Sequence, residues 1–121
     1  MKKTLKKFSD TENCPIRNIL DRFGDKWSML VLLTLNEEHT LRFNELHKAI
    51  GNISQKMLTV TLKKLEADDL ILRKAFLEVP PRVEYQLSER AQTLIPIILD
   101  LVYWANQNFK SIKKARENYF E

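Results

Sequence analysis

A chain of 121 residues with 44% hydrophobic content can bury one modest core, which excludes two independent domains. Its net charge is +4, from 20 Lys and Arg against 16 Asp and Glu, a balance that favours polyanionic partners. Cys14 is the single cysteine, so an intrachain disulfide is excluded; two histidines make no zinc set and two glycines no phosphate-cradling loop, and neither metal nor cofactor is expected. The longest strongly apolar stretch, residues 29–35, falls far short of the roughly 20 residues of a membrane span. The basic start, residues 1–7, is not followed by an apolar run with a small-residue cleavage site, so no secretory signal is supported and a cytoplasmic location is expected.

Residues 1–13 are polar and charged and read as a mobile arm. From Cys14 the pattern turns helical: Pro15 suits a first helical position, and Ile16, Ile19, Leu20 and Phe23 recur at helical spacing until Gly24 stops the run. Asp25 can cap a second helix over residues 26–35, whose nearly continuous apolar character predicts burial on most sides. After a polar break, residues 36–40, a short third helix covers residues 42–50 with Phe43, Leu46 and Ile50 on one face and Gly51 at its end. Ser54 then caps a fourth helix running to about Asp68, and Ile53 with Leu58 fits a hydrophobic staple. Two helices joined by Gly51, Asn52 and Ile53 make a helix-turn-helix.

A hairpin follows. Its first run is residues 71–79, its corner is Pro80-Pro81, and its second run is residues 82–87, where Val83, Tyr85 and Leu87 alternate with Arg82, Glu84 and Gln86. A hairpin directly after a helix-turn-helix is a wing, so the fold class is mainly α with a small β-hairpin (α+β), a winged helix-turn-helix. Ser88 can cap a long last helix bearing Leu94, Ile95, Ile98, Leu101, Val102, Ala105, Phe109 and Ile112, with a kink or restart expected at Pro96. This helix carries more apolar surface than so small a core can cover, which suggests a partner subunit. Residues 14–109 are therefore expected to form the domain with its dimerisation helices, and residues 110–121 a basic C-terminal extension, read as a solvated helical tail in preference to a DNA arm.

At about 100° per residue the fourth helix places Leu58, Leu62 and Leu65 on one side. Lys56, Thr59, Val60, Lys63 and Ala67 fall opposite, with Lys64 flanking. The presented side is slim, as close approach to the floor of a major groove requires. Ser54, Gln55, Lys56 and Thr59 are candidates for base edges or phosphates near the helix start, and Lys63 and Lys64 for phosphate. A solvated amphipathic helix would show the same pattern. The wing adds Lys74 and Arg82, basic groups from a separate segment that would converge on the same surface. Arg82 is either a DNA contact or the partner of Glu78 or Glu84.

The runs Cys14-Pro15-Ile16, Gly24-Asp25-Lys26-Trp27, Arg42-Phe43-Asn44-Glu45-Leu46, Ile53-Ser54-Gln55-Lys56-Met57-Leu58-Thr59, Leu65-Glu66-Ala67-Asp68 and Glu78-Val79-Pro80-Pro81-Arg82-Val83-Glu84-Tyr85 closely resemble the HxlR family of winged-helix regulators, relatives of the MarR group. The resemblance covers about residues 14–105. It implies a homodimer joined through the first and last helices, with the fourth helix in the major groove of double-stranded DNA and the wing beside it. Arg42, Asn44 and Val60 thereby join the candidate DNA contacts, and Ile16, Ile19, Leu20, Ile98, Leu101, Val102, Trp104, Ala105 and Phe109 become the candidate interface. One departure falls at the DNA surface. Val60 stands where many members have a polar residue; it cannot hydrogen-bond a base but can meet a thymine methyl.

Cys14, at a helix start and near Arg17, sits where the dipole favours thiolate. The resemblance adds that some relatives sense redox or electrophile signals through a cysteine at this place, so an electrophile or small-molecule effector is expected; a half-buried interface residue without a sensing role is the alternative. His39 and His47 read as ordinary surface or helix residues, and Trp27 and Trp104 as packing. Two further functions compete with DNA binding. One is a winged-helix module that binds protein, its basic face serving solubility. The other is an enzyme, disfavoured because no nucleophile, base and orienting group stand at suggestive positions.

Overall fold

The computed structural model describes residues 8–121; the first part of the expected N-terminal arm, residues 1–7, lies outside the described residues. In chain order the elements are α1 (Pro15–Phe23), α2 (Lys26–Glu38), β1 (Thr40–Arg42), α3 (Phe43–Ile50), α4 (Gln55–Ala67), β2 (Ile71–Phe76), β3 (Arg82–Leu87) and α5 (Glu89–Tyr119). The strands form an antiparallel sheet in the order β1-β3-β2. The second strand of the hairpin is where the alternation predicts it, the first ends at Phe76 rather than at residue 79, and β1 is an addition, because three residues are too few to establish a period of two. Leu41 faces Tyr85 across that ladder and is buried, which ties the start of α3 to the wing.

Helix α2 runs through the centre. Ser28, Val31, Leu32 and Leu35 are buried on it, against Leu46 of α3, Leu58, Leu62 and Leu65 of α4, Ile71 of β2, and Ala91, Ile95 and Ile98 of α5. It extends three residues beyond the predicted end, to Glu38, and closes on His39 at φ 68°, whose N–H donates to the Leu35 carbonyl at 2.8 Å. At its start Asp25 accepts from the Ser28 N–H at 2.9 Å and the Ser28 hydroxyl at 2.7 Å, and pairs with Lys64 at 3.5 Å. Partial burial pushes the Asp25 carboxyl up, but the two Ser28 bonds and the Lys64 charge outweigh it and hold the carboxyl below its ordinary value.

A carboxyl depressed in the folded state contributes stability above its unfolded pKa and loses it as pH falls through the folded value. Asp25→Asn should therefore cost about 1 kcal/mol at pH 7 and progressively less below pH 4, as the wild type loses the same contribution. Urea midpoints of both proteins between pH 3 and 7 check this; a constant gap would show that the carboxylate charge plays no part.

Of the kink or restart expected at Pro96, the restart does not occur in α5. It is continuous over 31 residues, about 46 Å. Proline there removes the N–H that would bond to the Gln92 carbonyl and crowds that oxygen with its ring, but both residues are exposed, so water can satisfy the carbonyl. Ala91, Ile95 and Ile98, buried on both sides of the proline, hold the helix against the core. The expected division at residue 110 falls inside this helix. Ser88 caps it doubly, accepting from the Ala91 N–H at 3.1 Å and donating to the Asp69 carbonyl at 2.8 Å.

Candidate nucleic-acid interface

The helix-turn-helix is set by its turn. Gly51 at φ 68°, ψ 160° takes a backbone conformation that side chains disfavour, and Asn52 follows at φ 55°. Ile53 dips into the core at 4% exposure, and its carbonyl accepts from His47 Nε2 at 2.7 Å. His47, read from sequence as an ordinary helix residue, is thus a pin between the two helices. Ser54 accepts from the Met57 N–H at 3.0 Å, which fixes the first turn of α4.

From there the burial pattern orients α4. Leu58, Thr61, Leu62 and Leu65 are buried, so the opposite ridge is Lys56, Val60, Lys63 and Ala67, all exposed. Val60 is 45% exposed in the middle of that ridge. Ser54 and Gln55 are exposed at the helix start, as are Arg42 and Asn44 at the start of α3. Thr59 lies half-buried on one flank, its hydroxyl donating to the Gln55 carbonyl at 2.8 Å; its lone pairs are left to accept.

Three of the expected contacts sit elsewhere. Lys64 falls on the other flank and turns toward Asp25 at the start of α2. Lys74 and Arg82 do not converge with α4. Strand side chains alternate faces, and the pairs Ile71 with Leu87, Arg73 with Tyr85 and Ala75 with Val83 share the face that packs on the helices. Lys74, Phe76, Arg82 and Glu84 belong to the outer face. There Arg82 pairs with Glu78 at 3.2 Å and Glu84 at 3.6 Å, and its guanidinium lies 4.0 Å from the Phe76 ring centre. Its alternative role, the ion pair, is the one observed. The residue that does face α4 from the wing is Arg73, which is absent from the expected contacts. The period of two from Ile71 would have found it.

The candidate interface residues divide as well. Ile16, Ile19 and Leu20 on α1 and Leu101, Trp104 and Phe109 on α5 are exposed apolar groups, each between 39% and 64% accessible. Ala105 is exposed and Val102 half-buried. Ile98 is a correction: at 3% exposure it is part of the core within the subunit, because the inward face of α5 still meets α2 at that level. Helix α1 itself is held to the body by little more than buried Phe23 and the Arg22–Asp68 ion pair at 2.8 Å. Cys14 precedes it as N-cap, 2% exposed rather than half-buried, with its carbonyl accepting from Asn18 Nδ2 at 2.9 Å.

Among the described residues no helix is long and apolar enough to cross a membrane, and no grouping of three or more His, Cys, Asp or Glu side chains suits a metal ion.

A buried-underside helix presented beside a three-stranded wing defines a winged helix-turn-helix of the transcription-regulator type. The HxlR-like helix-turn-helix family model matches residues 22–113, and the chain belongs to that family. It is similar to an uncharacterized HTH-type transcriptional regulator of Halalkalibacterium halodurans, 41% identical over 84% of this chain and 90% of that one. Among solved structures it resembles the redox regulator HypR in its oxidized form, with TM-score 0.73 and 39% identity over 78% of this chain and 97% of that one. It also resembles the reduced form of the transcriptional regulator YodB from B. subtilis, with TM-score 0.67 and 33% identity over 78% of this chain and 92% of that one.

Proposed function

We propose that the protein is a sequence-specific regulator that binds duplex DNA as a homodimer, on a pseudo-palindromic operator whose half-sites lie about one turn, roughly 34 Å, apart. The observation that carries this reading is the ridge of Lys56, Val60, Lys63 and Ala67 held outward by a fully buried leucine underside. Short residues between lysines let a helix sit deep in a groove while the cations reach its phosphate walls. The exposed apolar groups of α1 and α5 supply the dimer contact.

Selection of bound fragments from a genomic duplex library, followed by affinity measurements, tests it. Lys63→Ala should weaken all sequences alike, while Gln55→Ala should lower discrimination at one base position by about 1–3 kcal/mol. Equal losses on selected and random duplexes for both variants would contradict the division. Failure to retain any duplex would favour a protein-binding module.

The family likeness to a redox regulator extends the proposal to Cys14. With one cysteine per chain, oxidation joins this thiol to the partner subunit's Cys14 or to a small thiol. At 2% exposure the sulfur reacts only when the segment before α1 opens, which couples its chemistry to the α1 contact. Diamide should lower operator affinity several-fold in the wild type and leave Cys14→Ser unaffected; the same response in both would remove Cys14 from the mechanism.

A further inference from the structure

Between α4 and the inner face of the wing lies a cleft of about 420 Å³, lined by Phe43, Thr59, Leu62, Lys63, Glu66, Arg73 and Tyr85. Phe43, Leu62 and Tyr85 supply its apolar lining, and it carries two cations on different elements, Lys63 from the helix and Arg73 from β2. Among the described residues neither cation has an ion-pair partner within 4.0 Å, in contrast to Lys64 and Arg82. Tyr85 pairs with Arg73 across the strands, which places the two residues on one face of the sheet. Thr59 adds only acceptor capacity, since its proton is committed to the Gln55 carbonyl.

We propose that Lys63 and Arg73 form a two-element phosphate clamp that seats the DNA backbone between the recognition helix and the wing. This rests on the DNA-binding reading and names residues for it. If α4 occupies a major groove and the wing reaches the neighbouring minor groove, the strand that divides them must run through the space between the two elements. That space is this cleft. A guanidinium can bind a phosphate through two parallel N–H groups, and the ammonium of Lys63 meets the same charge from the helix side. The carboxylate of Glu66 on the same rim opposes the phosphate and limits the affinity.

Two neighbouring cations on one strand give the test, because Arg73 faces the cleft and Lys74 the outer face. Fluorescence anisotropy with a 30-base-pair random-sequence duplex over 50–200 mM KCl reads the salt dependence for the intact protein and its variants. Arg73→Ala should reduce the slope of log affinity against log salt by about 0.9, and weaken binding about eightfold at 0.1 M salt, for each engaged subunit. Arg73→Lys should restore the slope, Glu66→Gln should tighten binding, and Lys74→Ala should leave the slope unchanged. Thermal melts of the variants separate loss of contact from loss of fold. Binding by the wild type with equal slopes for Arg73→Ala and Lys74→Ala would overturn the clamp alone. No salt-dependent binding by the wild type would overturn the DNA-binding reading itself.

Discussion

Glutamate at both Leu101 and Phe109 is expected to convert the protein to a monomer and to lower operator affinity more than 100-fold. The two side chains are 51% and 64% exposed in the single subunit, so charge there costs the fold little. In a dimer they would be buried. Each such side chain contributes about 1.5–3 kcal/mol when removed from water, and an unpaired carboxylate in its place costs several more. The DNA effect is larger than any single contact, because two linked half-site readers gain roughly 10²–10⁴ in avidity from the second binding event. Light scattering should give the monomer mass, and affinity for an isolated half-site should be unchanged. A double variant that stays dimeric would move the interface away from α5.

Leu58→Ala is expected to destabilise the protein by about 2–5 kcal/mol, the range for truncating a large side chain in a packed core. Leu58 is fully buried, one turn into α4, in the core cluster that also holds Val31, Leu32 and Leu35 of α2 and Ile53 of the turn. Its loss should loosen the N-terminal half of α4, where the candidate base contacts lie. Val60→Ala, two residues on and on the opposite ridge, should stay within about 0.5 kcal/mol and yet change sequence preference. Urea unfolding at fixed subunit concentration compares the two, since dimerisation would otherwise shift the midpoints. Similar stability losses at both positions would mean that α4 is not oriented as described.

The sequence carried the helix order, the caps at Asp25, Ser54 and Ser88, and the buried leucine side of α4, because each depends on spacing within one element. Strand β1 was hidden because it is three residues long and exists only through its pairing with β3. Lys74 and Arg82 lie away from α4 for a different reason: the alternation of Val83, Tyr85 and Leu87 continues across the hairpin into β2, where the register puts Arg73 and not Lys74 on the inner face. Ile98 looked available for a partner because helical spacing says which side of α5 is apolar and cannot say how far along it the core extends. His47 owes its role to a carbonyl six residues away in a turn, a contact no periodicity encodes.

Hydroxyl-radical footprinting on the tightest fragment selected by the wild-type protein tests most directly whether α4 offers its Lys56–Val60–Lys63 ridge to a duplex. Two protected patches about one helical turn apart on the same face of the DNA, both lost when Lys56 and Lys63 are replaced by alanine, are the predicted result. A footprint that survives those replacements, or a selection that enriches no fragment, would contradict it.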